Sequence, residues 1–157
     1  MDRKPRTVLN RLLTKVHAER LRPLGFRKTA RTFSRDRGGY WERFHFQGSA
    51  WSAGDRGRFY LNVGVEFKDQ PERQWWSYFG RTHWARRVGE IVPGAPADWE
   101  YGSDADMEIL SRELAELIEA ASRSIAADIE RLRQCYQSEE AGRKARAAEQ
   151  GATHEDT

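Results

Sequence analysis

The side chains with the widest chemical reach in this chain form an aromatic, guanidinium, imidazole and amide set. Trp41, Arg43, His45 and Gln47 recur at every second position, and Tyr60, Asn62 and Glu66 repeat that parity further along. His45 and Glu66 are residue types that a general acid and base require. Gln47 and Asn62 each carry donors and an acceptor on one planar group. Trp and Arg are favoured anchors at protein interfaces, and aromatic rings beside cations stack on single-stranded bases. The set therefore suits protein recognition, nucleic-acid binding or acid–base catalysis, or else it is an ordinary solvated sheet face.

Other catalytic patterns do not occur. His17, His45, His83 and His154 stand in no HExxH pattern and at no paired metal spacing, and the single cysteine adds no second ligand. No metal and no cofactor are therefore expected. Ser49 and Ser52 lack the G-x-S-x-G turn that exposes a hydrolytic serine. Gly38-Gly39 suits a hairpin turn rather than a phosphate loop. Cys135 falls on the buried edge of a helical pattern and reads as a packed thiol. Asp128 falls near the apolar side of the same pattern. A buried carboxylate needs a partner, so Asp128 pairs with an arginine from the sheet, reaches water at the seam, or is an acid with a raised pKa.

A second candidate surface is electrostatic. The net charge of +3 conceals an excess of +10 over residues 1–60 and of −7 over residues 61–157. Lys4, Arg11, Lys15, Arg22, Arg27, Lys28 and Arg31 compose a basic patch suited to phosphates, through contacts that weaken steeply with salt. The competing reading is that the two halves neutralise each other in the folded domain.

A sheet is needed to hold the first set. Pro5 suits a helix start, and Leu9, Leu12, Leu13 and Val16 follow helical spacing up to a stop at Pro23-Leu24-Gly25-Phe26. Arg31–Arg35 and Tyr40–Gln47 read as strands joined by the Asp36–Gly39 turn. The clearest strand is Arg58–Lys68, with Phe59, Leu61, Val63, Val65 and Phe67 on one side and Tyr60, Asn62, Gly64, Glu66 and Lys68 on the other. Residues 52–57 form the loop before it. Parity in the second strand sends Phe44 and Phe46 to the core and Trp41, Arg43, His45 and Gln47 outward. The aromatic run Gln74–Phe79 precedes a short helix expected near His83–Glu90, and Trp99–Tyr101 is an expected edge strand. Leu110, Leu114, Leu117, Ile118, Ala121, Ile125, Ile129, Leu132 and Tyr136 then draw a long amphipathic helix over Met107–Tyr136, capped by Ser103 or Asp104.

These elements compose an α+β domain: an N-terminal helix, an antiparallel meander of three to five strands, and a long C-terminal helix packed on one sheet face. Residues 1–136 form this single domain. Residues 137–157 hold no apolar side chain larger than alanine, so a polar, frayed or disordered tail is expected. Composition agrees: hydrophobic residues make up 38% and charged residues 32% of the 157, yet six Trp give aromatic mass enough for a small core. No apolar run is long enough to span a membrane, no secretory leader is read at the N-terminus, and one cysteine fits a reducing cytoplasm.

The order of several segments is informative. Leu21-Arg22-Pro23-Leu24-Gly25-Phe26-Arg27-Lys28 precedes Arg31-Thr32-Phe33-Ser34-Arg35-Asp36, then Phe46-Gln47-Gly48-Ser49-Ala50-Trp51 and Phe59-Tyr60-Leu61-Asn62-Val63-Gly64-Val65, and later His83-Trp84-Ala85-Arg86-Arg87-Val88-Gly89-Glu90. Over about residues 8–130 this resembles the bacterial family called domain of unknown function 4304. The chain departs from the family's pattern at Gly48, where a larger or charged residue is usual, and in its long polar tail. The resemblance implies a small bacterial cytoplasmic protein and carries over no catalytic residue. The expected function is a non-enzymatic interaction protein that binds a macromolecular partner through the exposed sheet face. By analogy it would be an immunity or accessory factor of a toxin system. The alternatives are a nucleic-acid-binding protein using the basic N-terminal half, and an enzyme using His45 and Glu66.

Overall fold

The computed structural model describes residues 5–49, 56–72 and 82–155. Lys4, Ser52, the Gln74–Phe79 run and the side chain of His154 lie outside the described residues. The elements run in the order α1 (Pro5–Val16), a π-helical turn (His17–Leu21), a 3-10 turn (Arg22–Leu24), β1 (Arg27–Thr29), β2 (Thr32–Asp36), β3 (Tyr40–Gly48), β4 (Gly57–Phe67), β5 (Trp84–Arg87), a 3-10 turn (Val88–Glu90), β6 (Trp99–Tyr101) and α2 (Met107–Glu155).

The first helix forms as its spacing predicts, with Leu9, Leu12, Leu13 and Val16 buried. Pro23 lacks the N–H that would continue it. Gly25 takes φ 95° and its N–H closes on the carbonyl of Arg22 at 3.0 Å, which turns the chain into β1. The β1–β2 hairpin is an addition to the strands read from sequence. Its turn holds Ala30 at φ 52°, a left-handed conformation that side chains with a Cβ disfavour.

All strand pairs are antiparallel, in the order β1-β2-β3-β4-β5, with β6 on the same edge of β4 as β5 but at its other end. The register sets Trp41 opposite Glu66, Arg43 opposite Gly64, His45 opposite Asn62 and Gln47 opposite Tyr60. Phe33, Phe44, Phe46, Phe59, Leu61, Val63, Val65 and Phe67 are all buried on the other face. Both helices lie against that face. His17 stacks on Phe33, the Arg133 guanidinium sits over Phe67, and Tyr136 packs on His83. The face bearing Trp41 is therefore the one opposite the two helices, as strand parity requires.

Two expectations are corrected. His83–Glu90 is not a helix: Trp84–Arg87 is β5, paired with Asn62–Val65, and only Val88–Glu90 turns. Trp84 and Val88 are four residues apart, a spacing that serves one side of a helix and one face of a strand equally. The cap of α2 is neither Ser103 nor Asp104 but Asp106, whose Oδ1 accepts the N–H groups of Glu108 and Ile109 at 3.1 Å each. α2 is continuous to Glu155, 49 residues, or about 73 Å at 1.5 Å per residue. Tyr136 is its last buried side chain among the described residues.

Candidate recognition face of the sheet

At one end of the outer face, β2, β3 and β4 bring Asp36, Trp41 and Glu66 abreast. Three cations ring the half-buried indole of Trp41: Arg27 at 5.9 Å, Arg43 at 5.5 Å and Lys68 at 5.4 Å from a ring centroid. Each distance lies within the range of a cation–π contact. Arg43 is fixed by Glu66 Oε2, to which Nη2 donates at 2.5 Å and Nε at 3.1 Å, and by Ser34 Oγ at 2.9 Å. Lys68 donates to Asp36 Oδ1 at 2.6 Å. That bond, with the Gly38 N–H, holds the Asp36 carboxyl below the usual carboxylate range. The result is an aromatic plate flanked by two charges held in place, Arg43 and Lys68, with Arg27 as a third beside it.

At the other end the amides meet an arginine. Asn62 Nδ2 donates to Gln47 Oε1 at 3.1 Å, and Arg87 Nη1 donates to Asn62 Oδ1 at 2.8 Å and to Gln47 Oε1 at 3.3 Å. The Arg87 guanidinium lies 4.3 Å from the Tyr60 ring centroid. Asn62 is thereby fully buried, against the expectation that it faces water. Arg87 was hidden from the sequence reading because it fell in the expected helix. Only its pairing opposite Asn62 brings it to this face.

His45 and Glu66 are not brought together. His45 stands opposite Asn62, four residues along β4 from Glu66, or roughly 13 Å at strand rise. His45 Nδ1 shares a 3.1 Å hydrogen bond with Thr32 Oγ1, and Glu66 is engaged by Arg43. Burial, with the nearby Arg31 charge, pushes the His45 pKa down. Arg31 also reaches over Gly48. Its Nη1 stands 2.8 Å from where a Gly48 Cβ would be, so a larger residue there must displace the guanidinium.

The remaining titratable candidates are structural. His17 donates from Nε2 to the Phe26 carbonyl at 2.9 Å. His83 accepts the Phe67 N–H at Nδ1 and donates from Nε2 to the Pro71 carbonyl. Asp128 reaches water, as one of its expected alternatives has it: its side chain is 46% exposed, and its arginine partner is Arg131 of its own helix, at 2.8 Å, rather than one from the sheet. Cys135 is half-buried, with Sγ 3.6 Å from Glu139 Oε1. Among the described residues the buried carboxylate is Glu42, fully enclosed on the core side. Arg35 Nε donates to its Oε1 at 2.6 Å, and Ser122 Oγ to its Oε2 at 2.7 Å. Its parity with Phe44 is the sequence signal that points to this position.

The described basic residues are distributed over several elements, with Arg31 Nε donating to Asn10 Oδ1 of α1 at 3.4 Å. Lys15 donates to Glu19 at 2.9 Å and meets Glu108 at 3.0 Å, contacts that raise its pKa. Arg11 and Arg22 are exposed, while Arg27 belongs to the Trp41 cluster on the sheet. Lys28 has the opposite parity, level with Phe33, and Arg31 lies over Gly48.

Among the described residues, no helix is long and apolar enough to cross a membrane. No curated protein and no solved structure matches the chain. A family model does: the one described as a domain of unknown function (DUF4304) matches residues 17–128, from the π-helical turn through most of the packed length of α2. The chain is a member of that family.

Proposed function

We propose that this is a non-enzymatic interaction protein of the bacterial cytoplasm, which binds a protein partner through the sheet face opposite its helices. The observation that carries this reading is the indole of Trp41 ringed by Arg27, Arg43 and Lys68. Glu66 and Asp36 neutralise Arg43 and Lys68, which leaves Arg27 as the one of the three cations without an ion pair among the described residues. A flat aromatic anchor framed in this way suits a partner that presents an apolar contact with an acidic group beside it. The separation of His45 from Glu66 favours binding over acid–base chemistry. The division of the basic residues between layers, with Lys15 held by two carboxylates, favours a protein partner over a nucleic acid. Within this reading the narrower role is that of an immunity or accessory factor of a toxin system, an analogy with other small bacterial proteins.

Trp41→Ala tests it. The substitution should shift stability by less than about 1.5 kcal/mol, the scale of lost cation–π and surface contacts. It should also abolish co-purification of a partner that wild type retains and that rebinds when both are purified. A partner retained equally by wild type and Trp41→Ala would sink the proposal, as would a chain that retains none.

A further inference from the structure

On the helix-covered side of the sheet, α2, β2 and the 3-10 turn Arg22–Leu24 border an open concavity of about 350 Å³. Three arginines line it: Arg35 from β2, Arg37 from the turn after β2, and Arg123 from α2. Arg35 is pre-positioned. It donates to Glu42, to Ser122 Oγ at 2.6 Å and to the Leu24 carbonyl at 3.3 Å, and it stacks on Phe26 at 4.4 Å. Of the five N–H groups of a guanidinium, two remain unused. Glu42 cancels the charge of Arg35, but Arg37 and Arg123 are exposed and make no ion pair among the described residues. One carboxylate, Glu119, shares the rim four residues before Arg123. Two arginines without an ion pair among the described residues thus line the same concavity as a third, anchored one, with Leu24 and Ala126 as its apolar lining.

We infer that this concavity binds the phosphoryl group of a small phosphorylated molecule. A planar carboxylate is satisfied by one guanidinium fork, whereas donors arriving from three elements match a tetrahedral oxyanion with lone pairs in several directions. The space exceeds what one phosphate fills, and Leu24 and Ala126 offer contact to an organic portion. The site is independent of the outer sheet face.

The experiment is thermal denaturation and calorimetric titration of the full chain with inorganic phosphate, at ionic strength held constant with sodium chloride. A saturable rise in Tm is expected. Arg37→Gln/Arg123→Gln should melt like wild type without ligand and bind phosphate at least about tenfold more weakly, the equivalent of one charged hydrogen bond. Glu119→Gln should bind more tightly, because it removes the carboxylate on the rim. Glycerol phosphate should bind at least as well as inorganic phosphate, and citrate more weakly than either. No saturable shift, an affinity unchanged in the double variant, or equal binding of citrate would each overturn the assignment.

Discussion

Removing Arg35 tests the packing between sheet and helix most sharply. Glu42 is fully enclosed, and its two oxygens are held by Arg35 at 2.6 Å and Ser122 at 2.7 Å. Arg35→Leu retains apolar bulk against Phe26 but leaves the carboxylate with one neutral donor. Stripping one partner from a buried pair costs about 3–5 kcal/mol, most of it the penalty of an uncompensated charge in a low-dielectric site. For a domain of this size each kcal/mol moves Tm by roughly 2–4 °C, so the melt should fall by roughly 6–20 °C. Arg35→Leu/Glu42→Leu removes the charge along with its partner and should recover most of that loss, because replacing both members by apolar groups is close to neutral. Circular dichroism melts of wild type, both single variants and the double variant complete the cycle. Additive losses in the double variant would refute the reasoning, and so would a loss below about 1 kcal/mol for Arg35→Leu.

Other perturbations probe separate features. Ala30→Gly relieves a left-handed φ of 52° and should stabilise the fold by up to about 1 kcal/mol in chemical denaturation, since the strain it removes exceeds the added chain entropy. The pKa of His45 is lowered in the folded state, so the unfolded chain binds more protons once pH falls below the ordinary imidazole value of 6.5. Stability should therefore decline from that pH down to the lower folded pKa. His45→Gln should flatten this part of a pH–Tm profile. Leu114, fully buried on α2, should cost about 2–5 kcal/mol on truncation to alanine. Leu117, only half-buried beside Pro93 and Pro96, should cost less in the same assay.

Strand parity was the most legible part of the sequence. Phe59 to Phe67 alternate without interruption, which orients the outer face of β4, and Phe44 with Phe46 places Trp41, Arg43 and His45 on the same face from β3. The long helix was legible for the same reason, with its apolar stripe from Leu110 to Tyr136. The corrections arise where short-range spacing is degenerate. Trp84 and Val88 satisfy helix and strand alike, so Arg87 was lost from the amide cluster it completes. Asp106 was passed over as cap for neighbours of the same chemistry two and three residues earlier. Asp128 drew attention by its helical position, whereas Glu42 depends on a serine 80 residues away. That partnership has no local signature.

The connectivity of β4 has a consequence for the order in which the molecule comes apart. This one strand hydrogen-bonds to β3 along nine positions on one edge, and to β5 and β6 at separate stretches of the other. β1, by contrast, holds on by three residues at the rim. Backbone protons near the middle of β4 can reach deuterated solvent only when flanking strands on either side detach together, an event close in free energy to complete denaturation. The β1 hairpin can peel away alone. The protein should thus open from the Arg27 rim inward, with β4 the last segment to surrender its hydrogen bonds.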